Sequence, residues 1–188
     1  ADQKLTTLAE VTEYLRTSRQ PVFYLSRTAT NLVGVDRWVG AFHFVTLSDS
    51  WDGTHPRSFT PADVPSIEPR GNVNIANWLL ANGQVQAYIA KQTPPGYTPQ
   101  IVLAMFDERS EQLCRELGYA LIMPSVALRS RLDSKIATTE IGNAAGVPSV
   151  PNMLTTITGW DDLRAQAEGH GQAGQGEDGD QSAPDMAL

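Results

Sequence analysis

Ile101-Val102-Leu103-Ala104-Met105-Phe106 is an unbroken apolar run of strand length. A run of that kind fits a β-strand buried on both faces, which is the environment of a parallel sheet rather than of a half-exposed hairpin. Working outward, Asp107 or Ser110 supplies an N-cap for a helix carrying Leu113, Cys114 and Leu117, and Gly118 stops it. Tyr119 to Met123 is a second short apolar strand, closed by Pro124. On the other side lies a Pro/Gly connector, QTPPGYTPQ (92–100). Before it come a helix candidate from about Val73 to Asn82 and a strand candidate from Val85 to Ile89. Nearer the start, Leu5, Leu8, Val11, Tyr14 and Leu15 recur at helical spacing, which predicts an amphipathic helix over 4–18. Pro21 breaks it before the β-rich run Val22-Phe23-Tyr24-Leu25, and Phe42 to Leu47 is a further strand. Residues 48–65, SDSWDGTHPRSFTPADVP, are full of turn formers and read as a long loop. Strands alternating with helices predict a parallel, doubly wound α/β sheet.

Composition narrows the function. The 188 residues hold 14 Lys and Arg against 21 Asp and Glu, a net charge of −7. That balance lacks the electrostatic footprint of a nucleic-acid binder and the polybasic patch of an anionic-lipid binder. No apolar run reaches the roughly 18 residues of a membrane span. One cysteine, Cys114, makes no internal disulfide, and the first residues show no secretory signal. A cytoplasmic protein is expected. Four of the acidic residues and none of the basic ones fall in 169–188, a Gly-rich stretch with too few apolar residues to order itself.

Side chains with chemical potential are few. Ligands of open α/β sheets bind beyond the carboxyl ends of strands, at a reversal of strand order. The loop after the first strand, Ser26-Arg27-Thr28-Ala29-Thr30-Asn31, therefore supplies candidate substrate-binding residues: Ser26, Arg27, Thr28 and Asn31. It contains no G-x-G-x-x-G, so nothing supports a dinucleotide. His43, His55 and His170 stand apart from one another, without metal-ligand spacing. No G-x-S-x-G marks a serine nucleophile. Cys114 reads as a small buried hydrophobe, and Asp107-Glu108 as a pair complementing a helix dipole.

The stretch LIMPSVALRSRLDSKIATTEIGNAAGVPSVPN (121–152) combines a strand, a proline turn and a short helix ending at Leu132. An Asp133-Ser134-Lys135 step, a second helix and Gly146-Val147-Pro148-Ser149-Val150-Pro151 follow. This segment resembles the junction in ATP-grasp enzymes, the biotin-carboxylase-like members above all, between a Rossmann-like domain and the ATP-binding domain. The resemblance is close over about 35 residues. It implies that Lys135 contacts the nucleotide phosphates, where a helix start and a positive charge both favour an anion. Ser134 between Asp133 and Lys135, and Met-Pro in place of Gly-Pro, depart from the pattern.

The resemblance implies a Rossmann-like open parallel sheet with flanking helices over 1–132. An incomplete start of the ATP-grasp domain then spans 133–168, and a disordered acidic tail 169–188. ATP and Mg²⁺ would serve the complete enzyme, joining a carboxylate to an amine through an acyl phosphate. The lid and the Mg²⁺ ligands of that family have no counterpart in this chain, so it is expected to be inactive alone. It would act with a complementing catalytic chain or as a homodimer, and with neither nucleic acid nor membrane. The alternative is a non-catalytic Rossmann-like module that binds a small anion or a partner chain. The helix expected at Asp161–Ala167 should be weakly held, and the surface at Pro148–Leu154 apolar.

Overall fold

The computed structural model describes residues 4–64, 74–147 and 154–173. The elements in chain order begin with α1 (Leu8–Thr17), β1 (Val22–Ser26), β2 (Phe42–Thr46) and β3 (Ser58–Phe59). There follow α2 (Ile75–Ala81), α3 (Gly83–Gln92), β4 (Gln100–Leu103), α4 (Glu108–Glu116) and β5 (Ala120–Leu121). Last come α5 (Val126–Leu132), α6 (Lys135–Ala144) and α7 (Trp160–Ala173). The chain divides into two compact units, Ala1–Arg129 and Ser130–Leu188. The boundary expected at 132/133 lies three residues beyond that division.

The first unit is an open α/β sheet, all parallel, with the strand order β3-β2-β1-β4-β5. It is the Rossmann-like architecture expected from the sequence. Phe23, Leu25, Val45, Ile101 and Leu103 share one face and form the main core with Leu79, Leu80, Val85, Ile89, Leu113 and Cys114 of the helices. Tyr24, Phe42 and Phe44 point to the other face, as alternation along a strand requires. That face is covered by Leu32, Val35, Val39 and Trp51. The β1–β2 crossover consists of two 3-10 turns, Thr30–Leu32 and Val35–Arg37.

The helix starts follow from capping chemistry. Thr7 accepts from the Glu10 amide while Glu10 reaches back to Thr7, a reciprocal pair that begins α1. Asp107, one of the two alternatives for the cap, makes the same arrangement at α4 with the other, Ser110, as its reciprocal partner. Gly118 follows the end of α4 with φ +70°, a conformation that suits glycine. The end of α1 packs so closely on Gly40 that a methyl group there would fall on the Arg16 carbonyl oxygen.

Several expectations need correction. Val85–Ile89 is not a strand but part of α3. The apolar residues at 85, 88 and 89 have helical spacing as well as β-propensity. Asn82, whose side chain accepts from the Gln84 and Val85 amides, decides for the helix. The strand expected over 101–106 covers Gln100–Leu103, because Ala104 and Met105 already lie past the sheet edge and are exposed. Only Ala120 and Leu121 of the segment 119–123 pair with the sheet. The loop 48–65 holds a two-residue edge strand, β3, paired to β2.

The second unit contains α6 and α7 and has no buried residue among those described. Ile136, Ile141, Leu163 and Trp160 are exposed, Trp160 by 82%. The helix expected at 161–167 extends to Ala173, so 169–173 continue a helix instead of beginning a tail. Of the apolar surface expected at 148–154, Leu154 is exposed; Pro148 to Met153, like 174–188, lie outside the described residues.

Candidate functional site

β1 sits between β2 and β4. From β1 the chain runs to β2 and β3 on one side, then returns to β4 on the other. Connections leaving the two central strands in opposite directions open a crevice beyond their carboxyl ends. Here it has a volume of about 410 Å³, within the range of small-molecule sites. Leu25, Ser26 and Arg27 contribute from the end of β1, and Ala104 and Met105 from beyond β4. Asn74, Ile75 and Ala76 complete it from the start of α2. None of these residues is acidic. Arg27 is exposed and takes no part in the ion pairs among the described residues, which engage Arg57, Arg109 and Arg115.

A hydrogen-bonded cluster fixes the far wall. Asn74 and Asn77 of the α2 start both donate to the Asp107 carboxylate, at 2.7 Å and 3.0 Å. Buried Ser110 donates to Asn77 Oδ1 at 2.6 Å. Burial alone would raise the Asp107 pKa, but the donors on Asn77, Ser110 and Asn74 together outweigh it and hold the group at about 2. Asn74 Oδ1 also accepts from the Ala76 and Asn77 amides, which caps α2 and occupies two of its first-turn donors. Behind Met105, Arg129 lies over the Phe106 ring at 4.9 Å and donates to the Phe106 carbonyl.

Of the residues expected to bind substrate, Ser26 and Arg27 line the crevice. Thr28 and Asn31 are not among its lining residues. The Thr28 hydroxyl is 2.9 Å from that of Thr30, and Asn31 belongs to the 3-10 turn that carries the chain away. Lys135 is the first residue of α6, in the second unit, and is exposed. Ser134 caps that helix by accepting from the Ala137 amide. Sequence reasoning missed Asn74 and Asn77; the available signal was an Asn directly before an apolar helical run.

Two histidines have structural duties. His55 Nε2 lies 3.2 Å from Asp36 Oδ2, and its Nδ1 accepts from the Arg57 amide. With Arg57 also on Asp36 and Trp51 packed at a tilt against the ring, His55 ties the loop after β2 to the turn at 35–37. His43 is 7% exposed, stacks on Phe23 and contacts the Tyr88 hydroxyl through Nδ1 at 3.0 Å. Burial, with a smaller contribution from Arg57, lowers its pKa to about 4. Burial also pushes the Cys114 thiol up to about 11, the wrong direction for a nucleophile. Among the described residues no group of three His, Cys, Asp or Glu is placed to hold a metal ion. No helix among them is long and apolar enough to cross a membrane.

No family model, no curated protein and no solved structure matches this chain. The class that fold and site define is an open parallel α/β protein with a cationic, mainly apolar crevice at its switch point.

Proposed function

We propose that this chain is the substrate-side platform of an ATP-grasp-type ligase, acting in the cytoplasm and joining a carboxylate to an amine. The observation that carries the reading is Arg27 at the switch-point crevice, a cation without an ionic partner among the described residues. The junction sequence around Lys135 supports it. In this reading Arg27 orients the carboxylate of the substrate and Ser26 offers a hydroxyl beside it. Lys135, at the start of the ten-residue α6, meets one edge of the nucleotide phosphates. One lysine at a helix start suits a phosphate but does not make an ATP site. The remaining nucleotide contacts and the Mg²⁺ ligands belong outside this chain, which therefore holds substrate without turning ATP over.

Calorimetry with Mg·ATP on the chain and on Lys135→Ala tests the nucleotide contact. Weak, millimolar binding abolished by the substitution is expected. Micromolar binding indifferent to it would remove Lys135 from the role, and steady ATP hydrolysis by the isolated chain would overturn the platform reading. A non-catalytic module for small anions is the second reading. It is favoured by a crevice whose described lining residues all lie within 1–129. Acid binding at the crevice with no nucleotide binding at any concentration would select it.

A further inference from the structure

Resting on the reading of the switch-point crevice as the site, we infer that its ligand is a small organic monoacid with an apolar body, not a phosphate ester or a nucleotide. Charge and donors set the limit on the anionic end. Among the described residues Arg27 is the single basic one lining the crevice. Arg129, the next cation behind Met105, is already committed to the Phe106 ring and carbonyl. The first-turn amides of Ala76 and Asn77, donors of the kind that cradle a phosphate, are taken by the Asn74 side chain. None of the described lining residues is a glycine, the residue that most readily lets successive backbone N–H groups close on an anion. A polyphosphate would leave most of its charge unmatched, whereas a carboxylate needs one guanidinium.

The walls decide the other end. Leu25, Ile75, Ala104 and Met105 face the same space as Arg27. Met105 is 67% exposed, an apolar side chain left open at the mouth, where a hydrocarbon body would cover it. Each methylene of the ligand removed from water should tighten binding about fourfold. Chain length should therefore matter more than added negative charge.

The test is a titration of the full chain, followed by backbone amide NMR and calorimetry, with acetate, hexanoate, phenylacetate and inorganic pyrophosphate. Hexanoate and phenylacetate should shift the amides of Arg27, Ile75 and Met105 and bind at least about tenfold tighter than acetate. Arg27→Gln and Met105→Glu, both at exposed positions, should each weaken that binding about tenfold while the circular dichroism stays unchanged. Pyrophosphate binding at these amides as tightly as hexanoate would leave the crevice as a site but overturn the acid class. Hexanoate binding that survives Arg27→Gln unaltered would mark unspecific adsorption and also overturn it. If none of the four probes moves these amides, the reading of the crevice as a site falls together with the inference.

Discussion

The Asn74 side chain donates to Asp107 Oδ2 at 2.7 Å, so the residue that caps α2 is bonded to the residue that caps α4. Two helices that follow different strands are thereby fixed to each other at the carboxyl edge of the sheet, beside the crevice. Asp107 has two duties: it accepts from the first turn of its own helix and from two asparagines of another.

Replacing Asp107 by Ala removes the α4 cap and strands both asparagine amides. A loss of about 1–2 kcal/mol is expected in urea unfolding from the cap alone. Asp107→Asn should recover part of it, because an amide oxygen still accepts from the Ser110 amide. The native carboxyl titrates near 2, below its ordinary value of 3.8. Its contribution is complete above pH 4 and is lost as the pH falls through 2. The acid limb of the wild-type stability curve should flatten in Asp107→Ala.

Gly40→Ala should destabilise the chain by about 1–3 kcal/mol, the range for overpacking a close contact. The added methyl meets the carbonyl oxygen of Arg16, and the backbone there also accepts the Gly40 N–H through Leu15 at 3.0 Å. Hydrogen exchange should speed up first in α1, which has no buried residue of its own. Unchanged exchange in α1 with an unchanged midpoint would show that Gly40 is not a contact point.

His43 makes stability depend on pH above the carboxylate range. Its native pKa of about 4 lies below the ordinary 6.5, so the unfolded state binds the proton first on acidification. Stability is complete above about pH 6.5, declines toward pH 4, and has no further His43 component below that. The slope should approach about 1.4 kcal/mol per pH unit in mid-window. His43→Leu should abolish this slope between pH 6 and 4.5, whatever it does to the absolute midpoint. A slope that persists in the variant would assign the effect elsewhere.

Cys114, 1% exposed and with its thiol held near 11, should react with a disulfide reagent only when the chain opens. Labelling at pH 8 should accelerate by orders of magnitude in denaturing urea. Rapid labelling of the native chain would contradict the packing of α4 on the core.

Much of the fold was legible locally. The runs at 22–25 and 42–47, the Asp107/Ser110 cap and the Gly118 stop are interactions among neighbours in sequence, and each formed where expected. Val85–Ile89 carries two meanings, since Val85, Tyr88 and Ile89 suit a strand by propensity and a helix by spacing, and the Asn82 cap decides for the helix. The end of the 101–106 run failed for a different reason. Ala104 and Met105 are apolar to line a crevice, not to fill a core, and composition alone does not separate the two.

The sequence by itself determined that this is an acidic α/β chain and where most of its strands and helices start and stop, since propensity, periodicity and capping act over a few residues. Only the tertiary structure decided that β4 returns to the side of β1 opposite β2. That reversal puts Arg27 at the crevice with Met105, nearly eighty positions away, while the turn at Thr30–Leu32 carries Asn31 away. Strand order depends on which faces are buried together, a property of the whole sheet that no single stretch of residues contains.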